Sequence, residues 1–518
     1  MIIKNLKNSS YEFLLTDAPL IAISIWILIN SLLSINGNHA WRQAEAIAQI
    51  DALINPNIFN SIFSTYDGSN IFWDTPIYQY IVFLISKISQ FDILQSSRIF
   101  NCFLLIFTVH YSYLLFSKVY QIPKFLFSFL IVINPQIIHY YSAPLVDLLP
   151  IALCSFSIYK LSQKVKLSFL NTFIYFLPYC VAVIIKPPVP FYFGIVFFVF
   201  NLLNKELSVK YFLQRLSLLF FGSIPPILIV EKIRTNILSN NTSFGGGEFF
   251  HKDITIWFGS ISDRFSPQIL ISFFRRFFLS GGDINTSRII FIILFCLLLI
   301  ILFIKKRELR LITILFFTIT FIDWMGFTAR QIELEYYSLA TQFLFLYMIA
   351  SYFYSLMNIN NMLRGFLNSL KNIKPEFILI STIISILLII PRFDLLSNTS
   401  KYTSLSTIEH FLATKEINLN VYGLAHDHPS ENFQVNPEAS YFPLYGKFNT
   451  TIGGLLRNKF ISKTFSDLDD FCSQKSDLNK SKSASIVFSG NEISGDCKIF
   501  IKNYADVYIE NDDYVFWY

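Results

Sequence analysis

Apolar runs of membrane-spanning length recur along most of this chain, and they restrict its fold more than any other feature. They fall near residues 17–35, 98–117, 124–139, 144–160, 167–185, 188–203, 211–230, 288–304, 309–327, 338–356 and 376–391. About 20 apolar residues in a helix cross a hydrocarbon core about 30 Å thick. Inside that core only helices and closed barrels satisfy their own backbone polar groups. With 53% hydrophobic and 15% charged residues, the sequence is that of a polytopic α-helical membrane protein. The formal net charge of +6 is spread over short loops between apolar runs, so no basic nucleic-acid patch gathers. The first run follows Lys4 and Lys7 and lacks a small-residue cleavage site, which makes it a retained span.

One further run, Ile77–Ile88, is short and interrupted by Lys87. The positive-inside bias decides how to treat it. If it does not span and Lys4 and Lys7 are cytoplasmic, every strongly basic short loop falls on one side. These loops carry Lys118 and Lys124; Lys160, Lys164 and Lys166; Lys205 and Lys210; Lys305, Lys306 and Arg307; and Arg364, Lys371 and Lys374. The sequence therefore predicts about 11 spans, with the N-terminus inside and the C-terminus outside. Residues 1–391 form the transmembrane module, and residues 36–97 become its first external loop. Also external are the 139–147 turn, Lys186, the 231–287 loop, the 328–337 loop and residues 392–518. Gly245-Gly246-Gly247 lacks the Lys-Ser/Thr of a P-loop, so nucleotide binding there is excluded.

The unusual polar residues gather on the external side. In the stretch from Asn36 to Asp51, Ile47, Ile50 and Ile54 share one helix face, and Arg42, Glu45 and Gln49 share another. Such a helix lies at a membrane surface. Arg42 and Glu45 are either reactive groups or a solvated i,i+3 pair. Asp74 lies in Trp73-Asp74-Thr75-Pro76-Ile77-Tyr78-Gln79-Tyr80, as a functional acid or as the N-cap of a second amphipathic piece. Arg98 opens a span, where snorkelling is the simple alternative to function. Asp147 lies just inside a span, where an acid must be paired or face a water-filled cavity. Lys186, before Pro187-Pro188, is a cation able to meet a phosphate.

Residues 392–518 change character. Asn418–Tyr422, Ala484–Phe488 and Lys498–Lys502 read as strands, and the region reads as a small α/β extracytoplasmic domain. Cys472 and Cys497 are its two cysteines, and an external location favours a disulfide between them over two reduced thiols.

These residues resemble the C-type glycosyltransferases (GT-C fold), in particular the group of protein O-mannosyltransferases and lipid A aminoarabinose transferases known as glycosyltransferase family 39. The long first external loop of that group opens on an Asp-Glu pair followed by x-Arg-x-x-Glu. His39-Ala40-Trp41-Arg42-Gln43-Ala44-Glu45 stands in its place here, similar to a bacterial branch reading His-x-Trp-Arg-Gln-Ala-Asp. The Trp73–Tyr80 stretch is similar to the family's acid-x-Pro-Leu-Tyr segment. Arg98 matches an Arg opening the second span, Asp147 an acid after the second external turn, and Lys186-Pro187-Pro188 a Lys-Pro. Glu335-Tyr336-Tyr337 resembles a late Tyr-Tyr motif, with Leu334 where a His often stands. The resemblance covers residues 1 to about 391. It departs at the catalytic Asp, whose place His39 takes.

The resemblance implies a membrane glycosyltransferase moving a sugar from a polyprenyl-phosphate donor to a lipid, glycan or protein acceptor, on the outer face of a bacterial inner or plasma membrane. Glu45 or Asp74 would be the general base, with His39 a third candidate. Arg42, Arg98 and Lys186 would meet the lipid phosphate, Asp147 would orient one of these cations, and Tyr336 and Tyr337 would line the substrate site. No ligand spacing demands a metal, although acidic loops of this kind also bind divalent cations. Two other classes remain: a lipid-linked oligosaccharide ligase or polymerase, and a polyprenyl-lipid or sugar transporter without covalent chemistry. A transporter places its ionisable groups at mid-membrane within inverted repeats, and no such repeat is visible here.

Overall fold

The computed structural model describes residues 74–91, 93–142, 144–164, 167–204, 207–238, 307–333, 339–359, 418–423, 463–464, 472, 483–488, 495–510 and 514–518, with short helical pieces between 19 and 54. The runs at 288–304 and 376–391 lie outside the described residues, as does most of 17–35, and the expected number of spans rests partly on them.

The helices are α1 (Ile77–Ser89), α2 (Ile93–Phe116), α3 (Lys124–Val132), α4 (Pro135–Ser142), α5 (Leu148–Leu161), α6 (Phe169–Ile185), α7 (Pro188–Asn204), α8 (Val209–Phe221), α9 (Ile224–Leu238), α10 (Arg307–Glu333) and α11 (Leu339–Ile359). The Gln95–Phe116 and Val209–Asn236 segments are each long and apolar enough to cross a membrane. At the centre is α5, which packs against α2, α6 and α7. Its residues Ala152, Cys154, Ser155 and Ser157 are buried, and such small side chains let neighbouring backbones approach closely. On the outside, Phe169, Leu170, Phe173, Ile174 and Leu177 of α6 form an exposed apolar stripe suited to lipid.

Two apolar runs are each broken into two helices. Residues 124–139 divide at Asn134-Pro135. The Asn134 side chain accepts from the Ile137 N–H (3.1 Å), and Pro135 occupies the first helical position, where its missing N–H costs nothing. Asn134 also donates to Gln342 of α11 (3.2 Å), which fixes the break against the bundle. The 139–147 turn is accordingly shorter than expected, since α4 continues to Ser142. Residues 211–230 divide near Gly222. A side chain at Gly222 would come within 2.6 Å of the Phe176 ring, so a residue without Cβ is needed where α8 meets α6. Two prolines, Pro225 and Pro226, then open α9. In α10 the helix runs on to Glu333, into what the sequence suggested was loop.

The Ile77–Ile88 segment is a helix of 13 residues, α1. At 1.5 Å per residue it is roughly 20 Å long, about the length of α5. Tyr78, Val82 and Ser86 are buried against the bundle, while Tyr80, Leu84 and Ile88 form an exposed apolar row. It ends at Gln90, whose left-handed backbone (φ 60°) lets its N–H reach the Ser86 carbonyl and turns the chain into α2.

Beyond the helical bundle lies a mixed five-stranded sheet in the order β2-β1-β3-β5-β4. Its strands are β1 (Asn418–Gly423), β2 (Lys463–Thr464), β3 (Ser483–Phe488), β4 (Tyr508–Glu510) and β5 (Tyr514–Trp517). Strands β1, β2 and β3 are parallel, and β5 pairs antiparallel with β3 and β4. The segment Lys498–Lys502 is not a strand but part of a helix, α12 (Gly495–Tyr504). Its alternation misleads because Cys497 and Ile501, four residues apart, are the buried pair, while Ile499 is exposed. The expected disulfide is present. Cys472 and Cys497 are bonded, with Cα atoms 5.4 Å apart, and pack with Ile501, Val515 and Trp517.

Candidate functional site

Two corners of the backbone build the site. The first is the turn from α4 to α5. Asp147 stands at the N-cap of α5, yet its carboxylate does not cap that helix. The second corner is Lys186-Pro187-Pro188. A residue before proline is pushed out of the helical region. Lys186 accordingly ends α6 in an extended conformation, and Pro188 starts α7. The two side chains meet as an ion pair, Lys186 Nζ to Asp147 Oδ1 at 2.6 Å, with both about 3% exposed. Each charge also sits at the helix end that favours it, the acid at an N-terminus and the cation at a C-terminus.

Arg98 does not snorkel. It is buried in the first turns of α2, and its Nε donates to the carbonyl of Ser142, the last residue of α4, at 3.2 Å. That contact satisfies a helix-end carbonyl of α4 and ties α2 to the same turn that carries Asp147. Asp74 also departs from the simple reading. Helix α1 begins after Pro76, so Asp74 stands two residues before the cap position, and its side chain is buried.

Asp74 and Asp147 line one small, partly open cleft. Its other polar walls are Gln49 and Gln79, and its apolar walls are Ala46, Leu145 and Val146. The site thus combines four parts of the chain: the first amphipathic stretch, the segment before α1, α1 itself and the α4–α5 turn. Gln79 Nε2 donates to Gln49 Oε1 at 2.5 Å, which joins α1 to the first amphipathic stretch. Tyr78 donates to Asn101 Oδ1 of α2 at 2.9 Å. Burial, opposed by that hydrogen bond and one with Ser97, pushes the Tyr78 phenol far above its usual range, so it stays neutral and serves as an anchor for α1.

The opposite end of the bundle is basic. Lys118 donates to the Ser162 carbonyl (2.9 Å), and Arg215 donates to the carbonyls of Leu161 and Gln163 (2.5 and 2.8 Å). Cations thus close the C-terminus of α5, while the acid Asp147 marks its start.

Of the residues singled out from sequence, Asp74, Asp147 and Lys186 come together at the cleft, the last through its ion pair, and Arg98 lies behind the adjoining turn. His39, Arg42, Glu45, Tyr336 and Tyr337 lie outside the described residues. Among the described residues no group of three or more His, Cys, Asp or Glu side chains gathers as a metal site. Gln79 and Asn101 escaped the sequence reading. Their signal was weak: each is an uncharged amide within a mainly apolar helix.

No family model matches this sequence, and neither does any curated protein. Among solved structures, the chain is similar to the crystal structure of ArnT from Cupriavidus metallidurans bound to undecaprenyl phosphate. The TM-score is 0.50 at 12% identity, over 96% of this chain and 97% of that one. The apo structure of the same protein matches at a TM-score of 0.47 and 10% identity. The likeness to the first shows a shared fold along almost the whole of both chains.

Proposed function

We propose that this chain is an integral membrane glycosyltransferase of the C type, which transfers a sugar from a polyprenyl-phosphate carrier to an acceptor on the extracytoplasmic side. The observation that carries this reading is a cleft lined by Asp74 and Asp147, with Asp147 ion-paired to buried Lys186, within a fold shared with ArnT. The undecaprenyl phosphate of that structure belongs to ArnT; its chemistry suggests which donor class to test here. The site end lies away from the cluster of Lys118 and Arg215, which the positive-inside bias assigns to the cytoplasm. Helix α1 would then lie along the outer surface with Tyr80, Leu84 and Ile88 toward lipid.

The chemistry follows from the charges. An acceptor hydroxyl loses its proton to a carboxylate, and its oxygen bonds to the anomeric carbon of the sugar. The bond from that carbon to the phosphate oxygen breaks, and the leaving polyprenyl phosphate keeps the electron pair. Its developing charge is met by cations held in place beforehand. Asp74 is the base we favour, with Glu45 and His39 on the preceding stretch as the other candidates. Lys186, held by Asp147, meets the phosphate, together with Arg98 and Arg42. Tyr336 and Tyr337 complete the substrate site.

The test is release of polyprenyl phosphate from undecaprenyl-phosphate sugars by the purified chain in the presence of membrane acceptors. Release that requires Lys186 supports the proposal. Movement of the intact lipid-sugar across vesicles without release favours a transporter, and transfer of an oligosaccharide in one step favours a ligase.

A further inference from the structure

We infer that the Gln49–Gln79 amide pair is a sugar-reading element of the cleft, in which Gln79 hydrogen-bonds a hydroxyl of the transferred sugar. The inference rests on the glycosyltransferase reading and deepens it. Gln79 is 1% exposed, and its Oε1 has no hydrogen-bond partner among the described residues. A buried amide oxygen without a partner costs about 1–3 kcal/mol, so its retention suggests a partner supplied from outside the chain. Gln79 lines the same cleft as Asp74 and Asp147.

The direction of the amide pair does not alter this. One donor and one acceptor are used between Gln49 and Gln79 at 2.5 Å in either orientation of the two amides. Gln79 then has a terminal atom to offer a guest. An amide both donates and accepts, as a sugar hydroxyl does. The lining groups are of the kinds that bind sugars: amides and carboxylates that hydrogen-bond hydroxyls, beside the apolar Leu145 and Val146. Gln79 therefore discriminates among sugars without taking part in proton transfer.

The experiment uses the full-length protein and a panel of undecaprenyl-phosphate-linked hexoses and pentoses, then monodeoxy analogues of the sugar that is transferred. Gln79→Leu and Gln79→Met are each expected to lower kcat/KM about tenfold for the parent sugar, the worth of one lost neutral hydrogen bond. In wild type one monodeoxy analogue shows a similar loss, and in both variants the same analogue is used as well as its parent. That cancellation is something a merely structural role would not produce. Equal losses for all analogues in wild type and variants alike would overturn the inference. Unaltered kcat/KM in the variants would overturn it too. If wild type transfers no sugar from any donor, the functional reading fails, and the amide pair is judged by ligand-observed NMR with free methyl glycosides. Binding that is weakened by Gln79→Met, with the melting temperature unchanged, upholds it. Absent or unaffected binding refutes it.

Discussion

Removing the charge of Lys186 separates stability from function at this site. In Lys186→Met the Asp147 carboxylate stays behind at a place that is about 3% exposed, without the ammonium now 2.6 Å away. Breaking one side of a buried pair costs about 3–5 kcal/mol. The N-terminus of α5 still favours the acid by about 0.3–1 kcal/mol, so the loss falls toward the lower end, about 3 kcal/mol. Replacing both partners, in Lys186→Met with Asp147→Leu, leaves no stranded charge. A buried ion pair exchanged for apolar groups of similar size is often close to neutral, so the double variant should recover most of the lost stability. The cycle of wild type, two single variants and the double variant should then give a coupling of at least about 3 kcal/mol, because each single variant strands a charge and the double variant does not. Thermal unfolding in detergent reads it, and release of polyprenyl phosphate is measured on the same samples. Activity should stay low in all three variants, because each loses the held cation. Additive destabilisation in the double variant would refute the pairing, and activity restored along with stability would refute the role of Lys186 at the phosphate.

Asp74→Asn and Glu45→Gln should each lower turnover by about 10²- to 10⁴-fold, the usual worth of a general base, in protein that still inserts and purifies; if neither does, His39→Ala becomes the decisive variant. Arg98→Ala should raise the KM for the lipid donor and also lower the melting temperature, since it removes the hydrogen bond to Ser142. A single cysteine at the exposed Lys87 should be labelled by an impermeant reagent from outside intact cells, and labelling only after lysis would reverse the assigned topology. Replacing Cys472 and Cys497 by Ser opens a loop of 25 residues and should destabilise the sheet region by roughly 3 kcal/mol, read by proteolysis of wild type and variant under the same conditions.

Much of the fold was written locally in the chain. Runs such as 167–185 and 188–203 are helices in the structure because a long apolar stretch has few other ways to satisfy its backbone in lipid. The strands at 418–423 and 483–488 and the Cys472–Cys497 bond were likewise legible, from alternation and from cysteine position. Asp74, Arg98, Asp147 and Lys186 stood out because an ionisable group in or beside a span is costly and needs a reason. Local pattern failed where neighbours outvoted it. The alternation of Lys498–Lys502 gave way to the burial of Cys497 and Ile501 on one helix face. The run at 124–139 broke because Asn134 caps a new helix while bonded to distant Gln342. Only the tertiary structure decided the partners: Lys186 with Asp147, Arg98 with the Ser142 carbonyl, and Gln79 with Gln49. Composition and periodicity set which segments are helices and which face is apolar. Which two polar atoms meet depends on how those helices cross and where each proline corner turns, and no local stretch of sequence encodes that.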